Sequence, residues 1–184
     1  MARTESAMLA LGTSAPDFTL MDVVTGHPVG TQSVTGPKGL LVMFICRHCP
    51  FVKHLEKALA QLGHDYKGSG VGIVAISSND AENYPDDAPE SLAEQAQELG
   101  FAFPYLYDGT QEVARAYDAT CTPDFFLFDG GLKLVYRGQF DDSRPGNSIR
   151  VTGKDLRAAL DALIAGAPIN PEQRPSIGCN IKWK

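Results

Sequence analysis

Cysteine is scarce in this sequence. Four cysteines among 184 residues cannot build a disulfide scaffold, so the fold has to rest on a buried apolar core. Positive charge is in deficit as well: 16 lysines and arginines stand against 22 aspartates and glutamates, a net charge of -6. With a pI near 5.1, the surface has no basic footprint, which argues against nucleic acid as a partner. No apolar run approaches the roughly 18 residues of a membrane helix, so no membrane association is expected. The opening MARTESAMLALGTSAPDF has one arginine and a five-residue apolar stretch, too little for a secretory signal. Internal repeats and low-complexity segments are missing too. These absences point to a cytoplasmic protein. In that reducing setting a close pair of cysteines is better read as catalytic or metal-binding than as a structural bridge.

What is present is ordinary for a globular domain, with 43% hydrophobic and 21% charged residues. The length suits a single domain over residues 1–184, with a core over about 12–166 and an extended tail over 167–184. Residues 12–36, rich in Gly, Pro, Thr and Ser, read as a loop and hairpin laid before the core. GLLVMFI (39–45) is continuously apolar, as in a strand buried on both faces. PFVKHLEKALAQLGHDY (50–66) sets Val52, Leu55, Leu59 and Leu62 at helical spacing. GVGIVAIS (70–77) is a second buried strand, so strand, helix and strand form a parallel unit. A polar loop with prolines follows, then a helix that begins near Pro89 and ends at Gly100. FPYLYD is a short strand and GTQEVARAYDA a short helix. PDFFLFD and LKLVYRGQF form a hairpin around Asp129-Gly130-Gly131. TGKDLRAALDALIAG (152–166) is a final helix with a Thr N-cap and a Gly terminator. The last eighteen residues are expected to form no regular element and to run along the surface with Ile177 and Trp183 docked. The order implies an α/β fold, a mixed central sheet flanked by helices.

The chemistry concentrates in FICRHCP, where the first buried strand meets its helix. Proline suits the first helical position, where its missing N–H has no intrahelical partner. With Pro50 there, Cys49 becomes the N-cap and its sulfur faces the positive end of the helix. Helix N-termini and nearby cations both lower a thiol pKa, and Arg47 and His48 supply the cations. Cys49 is therefore nominated as the reactive thiolate and Cys46 as its partner. Two other readings stand beside this one: a pair of inert core thiols, and a metal site. The second needs about four ligands, with Cys121, Cys179 or a histidine brought close, and no second C-x-x-C exists. Neither a metal nor a cofactor is expected.

The order of elements, FICRHCP, and TPDFFLFD followed by a hairpin resemble the thioredoxin-like superfamily over about residues 10–165. The match is to its redoxin branch, the alkyl-hydroperoxide-reductase and thiol-specific-antioxidant type, and the opening LGTSAPDFTLMDVVTG of this sequence also resembles the start of that branch. The resemblance implies that Pro123 in CTPDFF is a cis-proline beside the site and that Thr122 contacts the substrate backbone. It also implies that the attacking cysteine stands five residues after a strand aromatic. Counted from Phe44 this is Cys49, and Val52 then replaces the usual second cysteine, so the C-x-x-C is displaced upstream by three. Against the peroxiredoxin pattern P-x-x-x-T-x-x-C, Cys46 stands where Thr is usual and Val42 where Pro is. Pro123 occupies the place of the peroxide-polarising Arg, a role left to Arg47 or Arg115.

The first functional reading is a thiol–disulfide oxidoreductase. Cys49 attacks a disulfide, and Cys46 resolves the mixed disulfide. Cations beside the pair stabilise the thiolate form and make the couple more oxidising. Its partners would be protein or small-molecule thiols and disulfides and a thioredoxin- or glutathione-type reductant. The alternatives are a thiol peroxidase using Cys49, resolved by Cys46, Cys121 or Cys179, and a non-enzymatic redox sensor or zinc-binding module. Cys121 reads equally as a third redox thiol or a core thiol, and Cys179 as a passive surface thiol. His54 and His64 read as solvated, and Asp86 and Asp87 as turn residues without a task.

Overall fold

The structure, a computed structural model, describes residues 3–184 of the chain. Its elements in order are β1 (Arg3–Glu5), β2 (Thr19–Asp22), β3 (Pro28–Gly30), α1 (Thr31–Val34), β4 (Gly39–Phe44), α2 (Pro50–Asp65) and β5 (Val71–Ser77). There follow α3 (Pro89–Leu99), β6 (Tyr105–Tyr107), α4 (Glu112–Ala116), β7 (Cys121–Thr122), β8 (Asp124–Asp129), β9 (Leu134–Gly138), α5 (Lys154–Ala165) and β10 (Ile177–Asn180). The hairpin expected before the core is the antiparallel pair β2 and β3. No helix of the described residues is long and apolar enough to cross a membrane.

The uninterrupted apolar character of β4 is explained by burial on both sides. Leu40 to Phe44 are all 0% exposed. Alternate residues of a strand point to opposite faces, and the two faces of β4 feed two separate cores. Leu41, Met43 and Ile45 join Phe125 and Leu127 of β8, against Val52, Leu55, Leu59 and Leu62 of α2 and Leu156 and Leu160 of α5. Leu40, Val42 and Phe44 join Phe126 and Phe128, against Phe18, Ala114 and Tyr117. Helices therefore cover both faces, as the mixed α/β pattern requires. Burying each Leu of α2 contributes on the order of 1.5–3 kcal/mol, which holds this helix and its N-terminus to the sheet.

The sheet runs β3-β2-β6-β5, with β5 parallel to β6 and β2 antiparallel to it. The antiparallel ladder β4-β8-β9 lies beside it, joined where the Ile45 amide donates to the Ile76 carbonyl at 3.0 Å. β4 and β5 meet at the ends that lead into α2 and into the loop 78–88, so both loops reach one edge of the sheet.

Two expectations need correction. The helix at 152–166 begins later, with Gly153 as N-cap at φ 69, while Gly166 does end it. Thr152 is not the cap because its amide and that of Gly153 both donate to Asp141 Oδ2, at 2.7 and 2.6 Å, which fixes a turn before the helix. The tail is also not wholly irregular. Residues 177–180 form β10, which pairs antiparallel with both β1 and β7. Trp183, expected to dock, is 39% exposed, with the Arg115 guanidinium 4.4 Å above its ring.

Gly178 permits the β10 pairing. A Cβ there would stand 1.9 Å from the Thr122 carbonyl oxygen, so any side chain forces the strands apart. Gly178→Ala should accordingly cost about 1–3 kcal/mol of stability, measured by urea unfolding. An unchanged midpoint would show that β10 does not sit this close to β7.

Candidate active site

The buried strand β4 delivers Cys46 two residues past its end, and α2 begins at Pro50 with Cys49 as its N-cap. Cys49 has extended backbone angles (φ -70, ψ 124) and Pro50 is in the first turn, as the sequence implied. Facing them is the Thr122–Pro123 peptide, which is cis. As a thiol, Cys49 Sγ donates to the Thr122 carbonyl at 3.2 Å. Cys46 Sγ lies 3.3 Å from Thr122 Oγ1. One threonine thus touches both sulfurs. The third group at this point is Cys179, opposite Thr122 in the β10–β7 register. Its side chain hydrogen-bonds Cys49, and all three thiols are buried. The structure therefore brings together Cys46, Cys49, Thr122 and Pro123, as the resemblance implied. It adds Cys179, which is 2% exposed and not a surface thiol.

The electrostatics favour ionisation of Cys49. A hydrogen bond from the Cys46 thiol pulls its pKa well below the ordinary thiol value. Burial opposes this, while the Cys179 side chain and the amides of Val52 and Cys179 assist it. Ionisation turns the contact with the Thr122 carbonyl repulsive, so these donors have to outweigh it. Cys46 is driven the other way: burial, its bond to Cys49 and the charge of Asp87 hold it protonated. The Thr122 hydroxyl then donates to Cys46, and Cys46 donates to Cys49. Cys121 also stays protonated through burial. Its Sγ is 3.7 Å from the Pro123 carbonyl, so it is a core thiol on the opposite side of the strand from Thr122.

The Arg47 side chain is bonded away from the sulfur. Its guanidinium turns to α3, where it donates to the Ser91 carbonyl at 2.6 Å and Glu94 Oε2 at 2.9 Å, with Glu98 Oε2 at 3.6 Å. The expectation that it lowers the thiol pKa is corrected: neighbouring thiols and amides do so. His48 stacks on Tyr84, with ring centroids 5.4 Å apart, and its Nδ1 bonds Asp87.

Asp87 is the residue the sequence reading undervalued. It is fully buried in the turn 85–87, and its Oδ1 accepts the amides of Arg47 at 2.8 Å and His48 at 3.1 Å. Its Oδ2 accepts Asn79 Nδ2 at 2.8 Å and also meets His48 Nδ1. Burial pushes its pKa up, but these bonds outweigh that and hold it below the usual carboxylate value. The available signal was topological: a loop after β5 has to reach the same sheet edge as the cysteines. His54 is likewise corrected from a solvated side chain, since its Nε2 lies 2.7 Å from Ser143 Oγ. His64 meets the Gly100 carbonyl at 2.8 Å on the surface.

Cys46, His48 and Asp87 each place one donor atom within 4.8 Å of the others, the closest approach to a metal cluster among the described residues. A structural zinc wants four ligands, and Asp87 already receives the loop amides and Asn79, so a cation would have to displace bonds that shape the loop.

The AhpC/TSA family model matches residues 11–137. Over 137 residues the chain is 31% identical to the thiol-disulfide oxidoreductase ResA of Geobacillus kaustophilus (strain HTA426), covering 73% of this chain and 74% of that protein. The crystal structure of an uncharacterized conserved protein from Geobacillus kaustophilus matches with a TM-score of 0.98 and 58% identity, over 100% of this chain and 97% of that one. The thioredoxin domain of a thiol-disulfide oxidoreductase from Bacteroides vulgatus matches with a TM-score of 0.59 and 23% identity, over 74% of this chain and 90% of that one. That last likeness shows a thioredoxin-like fold, and the ResA likeness supports a redox function.

The Cys46–Cys49 bond can be tested by following thiolate absorbance against pH. The lowest midpoint should belong to Cys49 and lie below the roughly 8.5 of a free cysteine. A hydrogen bond to a charged group contributes about 1.5–3 kcal/mol, so Cys46→Ala should move that midpoint up by about 1–2 pH units. A midpoint indifferent to Cys46 would contradict the assignment.

Proposed function

Because the chain belongs to the AhpC/TSA family of thioredoxin-like redoxins, we propose that it is a thiol–disulfide oxidoreductase with Cys49 as nucleophile and Cys46 as resolving thiol. The observation that carries this reading is the Cys49 sulfur at the start of α2, hydrogen-bonded by Cys46 and set against Thr122. Cys49 thiolate attacks one sulfur of a substrate disulfide and forms a mixed disulfide, and the other substrate sulfur leaves as thiolate. Cys49 no longer carries charge at that stage, so one influence that held Cys46 protonated is gone. Cys46 gives up its proton, attacks Cys49 Sγ and releases the second substrate thiol, leaving a Cys46–Cys49 disulfide. The substrate gains the two electrons the protein loses; the Cys46 proton goes to one released sulfur, and the other leaves as thiolate and takes its proton from solvent. A thioredoxin- or glutathione-type thiol reverses the steps to recycle the pair.

Thr122 positions both sulfurs beside Pro123, but the backbone edge expected to meet substrate is taken by β10, which pairs with it, so the substrate contact expected of Thr122 is corrected. His48 and Asp87 hold the loop that carries the cysteines, and ligand atoms of both stand within 4.8 Å of Cys46 Sγ. Arg47 anchors that loop to α3. Two observations weigh against peroxide as the substrate: Arg47 is turned to α3, and Arg115 lies over Trp183, so neither arginine offered for that role is aimed at Cys49. The proposed setting is reducing and cytoplasmic, in keeping with the few cysteines and with a couple recycled by small or protein thiols.

Turnover of a disulfide substrate such as insulin with dithiol as reductant tests the assignment. Cys49→Ser should reduce turnover to the uncatalysed rate. Cys46→Ser should still form the mixed disulfide but release it slowly. Equal activity in Cys49→Ser and the wild type would overturn the choice of nucleophile.

A further inference from the structure

Cys179 comes from the far end of the chain, and β10 holds it against the nucleophile. Its neighbours leave little freedom. Gly178 lies against the Thr122 carbonyl, Ser176 Oγ donates to the Pro123 carbonyl at 2.6 Å, and the Ile181 amide donates to the Thr120 carbonyl at 3.1 Å. On the other side of β10, Ser6 and Ser176 exchange bonds, the Ser6 amide to the Ser176 carbonyl and the Ser176 amide to Ser6 Oγ, both at 2.9 Å. Past the strand, the Lys182 amide donates to Asn79 Oδ1 at 2.8 Å. The same Asn79 supports Asp87, so the tail and the cysteine loop share one bonding network.

Within this frame Cys179 sits opposite Thr122, whose carbonyl is 3.2 Å from Cys49 Sγ, and the Cys179 side chain hydrogen-bonds Cys49. Cys46 and Cys49 are 0% exposed and Cys179 is 2% exposed. Cys49 therefore has a thiol on each side, Cys46 from its own loop and Cys179 from β10, with solvent excluded from all three. Its hydrogen bond favours the Cys49 thiolate, but the exchange between Cys46 and Cys49 itself uses no third sulfur.

We propose that Cys179 is a second resolving thiol, so that Cys49 partitions between a Cys46–Cys49 and a Cys49–Cys179 disulfide and the latter ties β10 to the start of α2. This rests on Cys49 being the nucleophile. Starting from the mixed disulfide of Cys49 with a substrate R–S, Cys179 gives its proton to the thiolate already released. Its sulfur attacks Cys49 Sγ, the bond to R–S breaks, and the Cys49–Cys179 bond forms. The oxidant is the substrate disulfide, which gains the two electrons the protein loses. From a Cys46–Cys49 disulfide the same attack is an internal exchange. The Cys46–Cys49 bond breaks, the Cys49–Cys179 bond forms, the proton passes from Cys179 to Cys46, and no net electrons are transferred. The strand covering the thiols is then held covalently in one oxidised form and by hydrogen bonds alone in the reduced form.

The test uses the full chain, reduced and then exposed to oxidised glutathione, quenched with acid and mapped by peptide mass spectrometry. In Cys46→Ser and Cys46→Ala the glutathione adduct on Cys49 should be transient, and a Cys49–Cys179 disulfide without glutathione should replace it. Adding Cys179→Ser should abolish that loss and leave one stable glutathione on Cys49. The wild type, which needs no variant to fold, should contain both disulfides at intermediate ratios of oxidised to reduced glutathione. A stable Cys49–glutathione adduct beside a still-reduced Cys179 in Cys46→Ser overturns the inference while leaving Cys49 as nucleophile. Exclusive Cys46–Cys49 pairing in the wild type at every ratio overturns it equally. If Cys49 never takes glutathione in any of these proteins, the oxidoreductase reading itself fails and the inference falls with it.

Discussion

Thr122 is the residue on which the arrangement depends. Its hydroxyl meets Cys46, its carbonyl meets Cys49, and its backbone pairs with Cys179. Three segments remote in sequence are registered on one side chain and one peptide. This works because β8, immediately after the cis peptide, is locked in full register against β4, from Gly39 opposite Asp129 to Phe44 opposite Asp124. The strand that carries the cysteines and the strand that carries Thr122 cannot slip relative to each other, since a one-residue shift would exchange the two apolar cores across the sheet.

Around that contact the polar groups are buried in mutually satisfied sets. Burying a carboxylate is costly unless it is bonded on several sides. Asp87 meets that condition by taking the amides of Arg47 and His48, the Asn79 side chain and the His48 ring. The loop between the cysteines is shaped by these bonds and by the ion pairs of Arg47 with Glu94 and Glu98. The charges that looked, in the sequence, like modifiers of the thiols therefore act first as fasteners of the backbone. The Cys49 sulfur is modulated by closer groups, the other thiols and the Val52 and Cys179 amides, while the Asp87 charge acts on Cys46 together with burial.

The parts legible in the sequence were those set by local rules. A strand apolar at every position declared itself buried on both faces, and Pro50 after Cys49 located the helix start within one residue. Thr122 and Pro123 were found through resemblance, because nothing local in CTPDFF says that its peptide is cis or that it faces the cysteines. What stayed hidden depends on contacts across the chain. Asp87 looked like a turn acid because its partners lie about forty positions upstream. The partner of Arg47 sits on a helix that begins only at Pro89. β10 is four residues long and contains a glycine, so its pattern was too short to read, and it forms only because β1 and β7 flank it.

The central claim is that Cys46 and Cys49 form a reversible couple with Cys49 as the reacting sulfur. The most direct measurement is a redox titration of the wild type in defined thiol buffers without peroxide, with the disulfides trapped and mapped at each potential. The account predicts a Cys46–Cys49 disulfide among those trapped, forming and disappearing reversibly with a midpoint between roughly -300 and -150 mV. Absence of a Cys46–Cys49 disulfide across that range, or oxidation of Cys49 by peroxide alone, would contradict it.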